Sequence, residues 1–189
     1  MKKNKNIRLP GDLSKEEKIE RMIRVNHAGE YGAKRIYEGQ IAFSKDKNSK
    51  RIFKEMLDHE YKHLNFFEEQ IAKKQLRPTF LQPIWHIAGY GLGAITGLLG
   101  HKTAMACTVA VEEVIDQHYK SQVEDLESYE SLEEDEEDLL SNIKKFRNDE
   151  LEHKNIGIES GAKDLFGYGI LATAIKLGSK TAIWLSKRV

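Results

Sequence analysis

Leu139-Leu140-Ser141-Asn142-Ile143-Lys144-Lys145-Phe146-Arg147-Asn148-Asp149-Glu150-Leu151-Glu152-His153 sets apolar side chains at Leu139, Ile143 and Phe146 and then puts Glu150 on the same stripe. Spacings of three and four mark one face of an amphipathic helix, so Glu150 is directed at the core. The pattern recurs at Glu60-Tyr61-Lys62-His63, where Glu60 falls inside the stripe of Met56, Leu64 and Phe67. Residues three apart on a helix project to one side, so each carboxylate and its imidazole reach the same region. Alone the motif is weak. With 21 Glu and seven His among 189 residues, roughly one Glu-x-x-His match arises by chance.

Two further glutamates raise its value. Glu30 interrupts a stripe between Ile23 and Tyr37, and Glu112 follows Thr108 and Val111. A buried ionised carboxylate costs several kcal/mol unless it is paired or bound to metal. Four such groups need cations, and two divalent ions neutralise them. The chain order is a lone Glu, a Glu-x-x-His, a lone Glu and a second Glu-x-x-His, one set per helix. That order matches bundles holding two metals between four helices. Glu30, Glu60, His63, Glu112, Glu150 and His153 are the candidate ligands. One imidazole per metal among carboxylates suits iron or manganese better than structural zinc.

The rest of the sequence is compatible with an all-α fold. Only three prolines occur, at 10, 78 and 83, so long stretches run without a helix breaker. Expected helices cover about 15–45, opened by a capping box at Ser14 and Glu17, then the stripe from Ile52 to Ile71, then about 102–128. A fourth is expected after Ser131, with Ser131 and Glu134 as its capping box. Residues 1–189 read as one domain, with the core bundle at about 15–158. Net charge is zero and no basic stripe appears, which removes support for nucleic-acid binding. The single cysteine, Cys107, excludes an internal disulfide and sulfur-rich metal sites. Met1 to Arg8 carry lysines without an apolar stretch behind them, so no secretory signal is expected.

Two segments stand apart. Residues 81–100 are nearly free of charge and hold Gly89, Gly91, Gly93, Gly97 and Gly100. Their apolar length is borderline for a membrane span, and each glycine weakens an isolated helix by up to about 1 kcal/mol. A membrane-surface or re-entrant element, or a buried crossover, is the expectation. Residues 165–187 form an apolar helix with interspersed lysines, suited either to an anionic membrane interface or to packing on the bundle. Ten acidic residues between 124 and 138 read as a solvated loop and the negative first turn of a helix.

Other polar residues have two readings each. His27 and His59, one turn before Glu30 and His63, either orient ligands or sit as ordinary helix residues. His118 and Tyr119 follow Glu112 by about two turns and either line a substrate cavity or pack together. Glu113 and Glu152 point away from the stripe.

The sequence also resembles the Coq7 family, the di-iron hydroxylases of ubiquinone biosynthesis. The likeness runs from Arg21 onward and is carried by Arg24-Val-Asn-His-Ala-Gly-Glu30, Glu60-x-x-His63, Arg77-Pro-Thr79, Ala110-Val-Glu-Glu113 and Lys144-Lys-Phe-Arg-Asn-Asp-Glu-Leu-Glu-His153. The resemblance implies a ferritin-like four-helix bundle with additional apolar, membrane-associated helices. It implies two iron ions on the six ligands and a quinone site beside His118 and Tyr119. It further implies hydroxylation of a polyprenyl benzoquinol by dioxygen, with an electron donor such as NADH. Peripheral attachment is expected, at the cytoplasmic face of a bacterial inner membrane or the matrix side of a mitochondrial one. A homo-oligomer or a complex of ubiquinone-biosynthesis proteins is a compatible assembly. Ligands and bundle alone also permit ferritin-like iron storage.

Overall fold

The computed structural model describes residues 11–189, so the reading of Met1 to Arg8 lies outside it. The described residues are all-helical. Six helices follow one another: α1 (Lys15–Phe43), α2 (Lys47–Lys73), α3 (Gln82–Leu98), α4 (His101–Glu127), α5 (Glu134–Glu159) and α6 (Tyr168–Ser186), with a 3-10 turn at Ala162–Asp164. The Ser14 box opens α1 as expected: Glu17 N–H donates to Ser14 Oγ at 3.1 Å and Ser14 N–H to Glu17 Oε2 at 2.6 Å. α1 ends two residues before the expected boundary. Asp46 caps α2 by accepting from Ser49 N–H at 2.7 Å, which starts that helix inside the polar break.

The start of α5 corrects the sequence reading. Its capping box is Glu133 and Glu136, not Ser131 and Glu134. Glu136 N–H and its side chain both engage Glu133, and the Glu136 carboxylate turns inward to pair with Lys15 of α1. A tertiary ion pair therefore selects which of several acidic residues closes the box. Ser131 offers its carbonyl to the same lysine instead.

α1, α2, α4 and α5 enclose two apolar layers. One holds Ile23, Phe67, Tyr119, Leu126, Ile143 and Phe146. The other holds Tyr37, Phe53, Met56, Met105 and Val109, with Ile156 packed against it. Along each helix the candidate ligands fall between its residues in the first layer and its residues in the second. Glu30 lies between Ile23 and Tyr37, and Glu150 and His153 lie between Phe146 and Ile156. The fold thus sandwiches one polar layer between two greasy ones.

Residues 82–98 form one continuous helix despite their glycines. Gly89, Gly93 and Gly97, four apart, face Gly32, Ile36 and Gln40 of α1. A Cβ on Gly93 would lie 2.0 Å from the Ile36 carbonyl oxygen, so the backbones touch where side chains would hold them apart. The glycines that weaken this helix in isolation are its contact surface here. α6 packs on α4 through Ala172 and Ile175 against Cys107, Ala110 and Val111. Every residue of α4 from Thr103 to Glu112 is buried.

The outer sides of α3 and α6 remain apolar. Ile87 is 74% exposed and Ile170 82%, with Ile84, Ile95, Leu177 and Trp184 also facing out. Among the described residues, no helix is long and apolar enough to cross a membrane.

Candidate metal centre

The four bundle helices bring all six candidate ligands into the polar layer, each almost fully buried. They form two overlapping groups, Glu30, Glu60, His63 and Glu150, and Glu60, Glu112, Glu150 and His153, with the ligating atoms of each group within 4.8 Å of one another. Glu60 and Glu150 belong to both groups; Glu30 and Glu112 belong to one each. His63 Nδ1 lies 3.2 Å from Glu150 Oε1 and 3.4 Å from Glu30 Oε2. His153 Nδ1 lies 3.3 Å from Glu150 Oε2 and 3.4 Å from Glu60 Oε1.

Hydrogen bonding tests whether this cluster suits cations. Both oxygens of Glu60, both of Glu150, one of Glu30, one of Glu112 and Nδ1 of each histidine are buried without a hydrogen-bond partner. So many orphaned acceptors in one place are untenable in an apolar core. They fit hard cations of oxygen-and-imidazole preference. The remaining oxygens of the two unshared glutamates are occupied. Tyr37 donates to Glu112 Oε1 at 2.7 Å, and Tyr119 donates to Glu30 Oε1.

Burial and neighbouring charges act unevenly on the ionisable groups of this layer. Burial, with Glu150 close by, pushes the pKa values of Glu60 and Glu112 well up. Burial acts the same way on Glu150, but the neighbouring imidazoles of His153 and His63 outweigh it and hold Glu150 below the usual carboxylate range. For His63 burial lowers the pKa, and the acids Asp149, Glu150 and Glu30 more than reverse that.

Around the ligands lie residues that pattern reading missed or left open. Asp149 accepts from His63 Nε2 at 3.1 Å, and His59 Nδ1 meets His153 Nε2 at 3.2 Å. His59 therefore serves the histidine of the other motif, not His63. His27 is buried, which lowers its pKa, and its Nδ1 has no partner. Tyr37 reads as an apolar stripe residue until its hydroxyl is placed; a polar end at a core position was the available signal. Glu113 pairs with Lys176 of α6, and Glu152 is exposed.

Tyr119 and His118 part company. Tyr119 binds Glu30, whereas His118 accepts from Gln122 Nε2 at 2.9 Å. Gln122 exchanges two 2.8 Å hydrogen bonds with Asn26. Burial, helped by the charge of Lys187, lowers the His118 pKa to about 3, so its ring is neutral. Both residues line a cavity of about 540 Å3 between α1, α3, α4 and α6, walled by Ile36, Leu92, Ile115 and Ile175 among others. Glu30 is the one candidate ligand on its wall. An apolar chamber thus ends at the polar layer.

Comparison with known proteins finds named relatives over most of the chain. A 3-demethoxyubiquinol 3-hydroxylase of Rhodospirillum rubrum is 48% identical over 183 residues, covering 96% of this chain and 84% of its own. The mitochondrial NADPH-dependent 3-demethoxyubiquinone 3-hydroxylase of Homo sapiens is 46% identical, covering 90% of this chain and 78% of its own. The mitochondrial 5-demethoxyubiquinone hydroxylase of Saccharomyces cerevisiae is 36% identical, with shares of 90% and 78%. The sequence model described as ubiquinone biosynthesis protein COQ7 matches residues 17–186, nearly the whole length, and the chain belongs to that family.

Proposed function

We propose that the chain hydroxylates the ring of a demethoxyubiquinol, a 2-methoxy-6-polyprenyl-type benzoquinol, in ubiquinone biosynthesis. Membership of a family whose named members are hydroxylases makes it an oxidoreductase. Glu30, Glu60, His63, Glu112, Glu150 and His153 hold two iron ions. Bound iron supplies the one-electron redox chemistry by which dioxygen is reduced. One oxygen atom replaces a ring hydrogen as hydroxyl, and the other leaves as water with two electrons and two protons from a reductant such as NADH.

The observation that carries this reading is the contact between an apolar cavity and a buried layer of orphaned ligand atoms, at Glu30. His118, neutral and held by Gln122, offers a fixed polar group to a quinol ring, while Tyr119 steadies Glu30. The apolar walls exclude water from the reacting ring. A polyprenyl tail leaves lipid at about 0.8 kcal/mol per CH2, so it stays in the bilayer while the head group enters. The exposed apolar sides of α3 and α6 flank the cavity and support peripheral attachment there. The face is the cytoplasmic side of a bacterial inner membrane, or the matrix side in a mitochondrion. One domain carries all of this, in a ferritin-like four-helix bundle with two membrane-associated helices.

The test supplies iron-loaded protein with reductant, demethoxyquinone and labelled dioxygen. One labelled oxygen in the ring and two irons per chain are expected. Unlabelled quinone with iron oxidised and retained as mineral overturns the reading in favour of storage.

A further inference from the structure

The residue just before each motif glutamate reaches across the bundle to the histidine of the other motif. Asp149, before Glu150 on α5, accepts from Nε2 of His63 on α2 at 3.1 Å. His59, before Glu60 on α2, meets Nε2 of His153 on α5 at 3.2 Å, with the two ring planes within 22° of each other. The two helices are related by this exchange, yet the chemistry differs: one partner is a carboxylate and the other an imidazole.

Both ligand histidines turn Nδ1 toward the carboxylates and Nε2 outward. With Nδ1 left for a metal, Nε2 carries the hydrogen and donates it to the outer partner. An anionic acceptor makes the imidazole a stronger donor to its metal and fixes the ring; a neutral nitrogen acceptor fixes the ring without adding negative charge. The carboxylate side does not compensate. Tyr119 and Tyr37 treat Glu30 and Glu112 alike, each donating to Oε1. The difference between the two positions therefore comes from the residues behind the histidines.

Resting on the reading of this layer as a two-metal centre, we infer that Asp149 and His59 are positioning residues that make the two metal positions unequal. The position served by His63 and Glu30 holds its ion more tightly, and the position served by His153 and Glu112 is the weaker. Glu30 lines the cavity wall, so the firmer position is the one nearer the cavity.

Metal-free protein is titrated with Co(II) against a competing chelator, giving two stepwise constants. Repulsion between ions also separates such steps, so the assignment rests on variants. His59→Asp gives both histidines a carboxylate, and it raises the second constant about tenfold with the first unchanged. Asp149→Asn, close to isosteric and the safer variant for folding, lowers the first constant about tenfold. Circular dichroism verifies that each variant is helical. A second constant unmoved in His59→Asp, or a first constant unmoved in Asp149→Asn, overturns the inference while leaving a two-metal centre standing. Wild-type protein that binds no Co(II) overturns the metal-centre reading itself, and this inference with it.

Discussion

The Tyr37 hydroxyl donates to Glu112 Oε1 at 2.7 Å, leaving Oε2 of the same carboxylate buried and free. The tyrosine thus settles which oxygen of Glu112 faces the other candidate ligands. Its ring also packs on Phe53 and His153, and phenylalanine keeps those contacts. Tyr37→Phe is expected to lower stability by about 1–3 kcal/mol, the range for a buried acceptor left without its hydrogen bond. Urea unfolding of the metal-free variant checks this; an unchanged midpoint means that the hydroxyl is idle.

Gly93 sets the approach of α3 to α1. Gly93→Ala drives a methyl into the Ile36 carbonyl and is expected to cost about 1–3 kcal/mol. Gly91→Ala, with nothing within 4 Å, is expected to stabilise the helix by about 0.5–1 kcal/mol. Thermal unfolding of the pair gives shifts of opposite sign. Equal shifts would refute the packing role assigned to Gly93.

His118 gives the fold an acid weakness. Its folded pKa, lowered to about 3 by burial and by Lys187, lies below the ordinary histidine value of 6.5. Between those two values the unfolded chain binds a proton that the folded chain refuses. Stability therefore falls as pH drops through that window, by at most about 1.4 kcal/mol per pH unit from this residue. His118→Gln removes the group and is expected to flatten the curve between pH 6.5 and about 4. Parallel wild-type and variant curves from urea titrations would contradict it.

Metal loading should stabilise the bundle, because ions replace protons among carboxylates that repel one another. Fe(II) or Mn(II) at a thousand times its dissociation constant is expected to add about 4 kcal/mol per ion. Calorimetry under anaerobic conditions reads this as a rise in Tm, reversed by a chelator. No rise with either metal counts against the centre.

Membrane attachment through α3 and α6 is expected to fail when their outward apolar residues become charged. Ile87→Asp with Ile170→Asp places two charges on faces now 74% and 82% exposed, so the bundle stays folded while flotation with anionic liposomes drops about tenfold or more. Undiminished flotation would move the contact elsewhere.

Four long helices and their six candidate ligands were legible in the sequence, because helical period is local and a glutamate on an apolar stripe contradicts it visibly. Glu60, Glu150 and their histidines needed only spacing three and a face. Residues chosen by contact across the bundle were not legible. Glu136 rather than Glu134 closes the α5 cap because Lys15 of α1 pairs with it, and His59 serves His153 from 94 positions away. Gly89, Gly93 and Gly97 look like helix weaknesses until α1 lies against them. Tyr37 and Tyr119 show the same limit: an aromatic ring on a stripe announces burial, whereas the acceptor of its hydroxyl is decided by which helix folds opposite. Periodicity is written in neighbours along the chain; hydrogen-bond direction and close backbone approach exist only once distant segments meet.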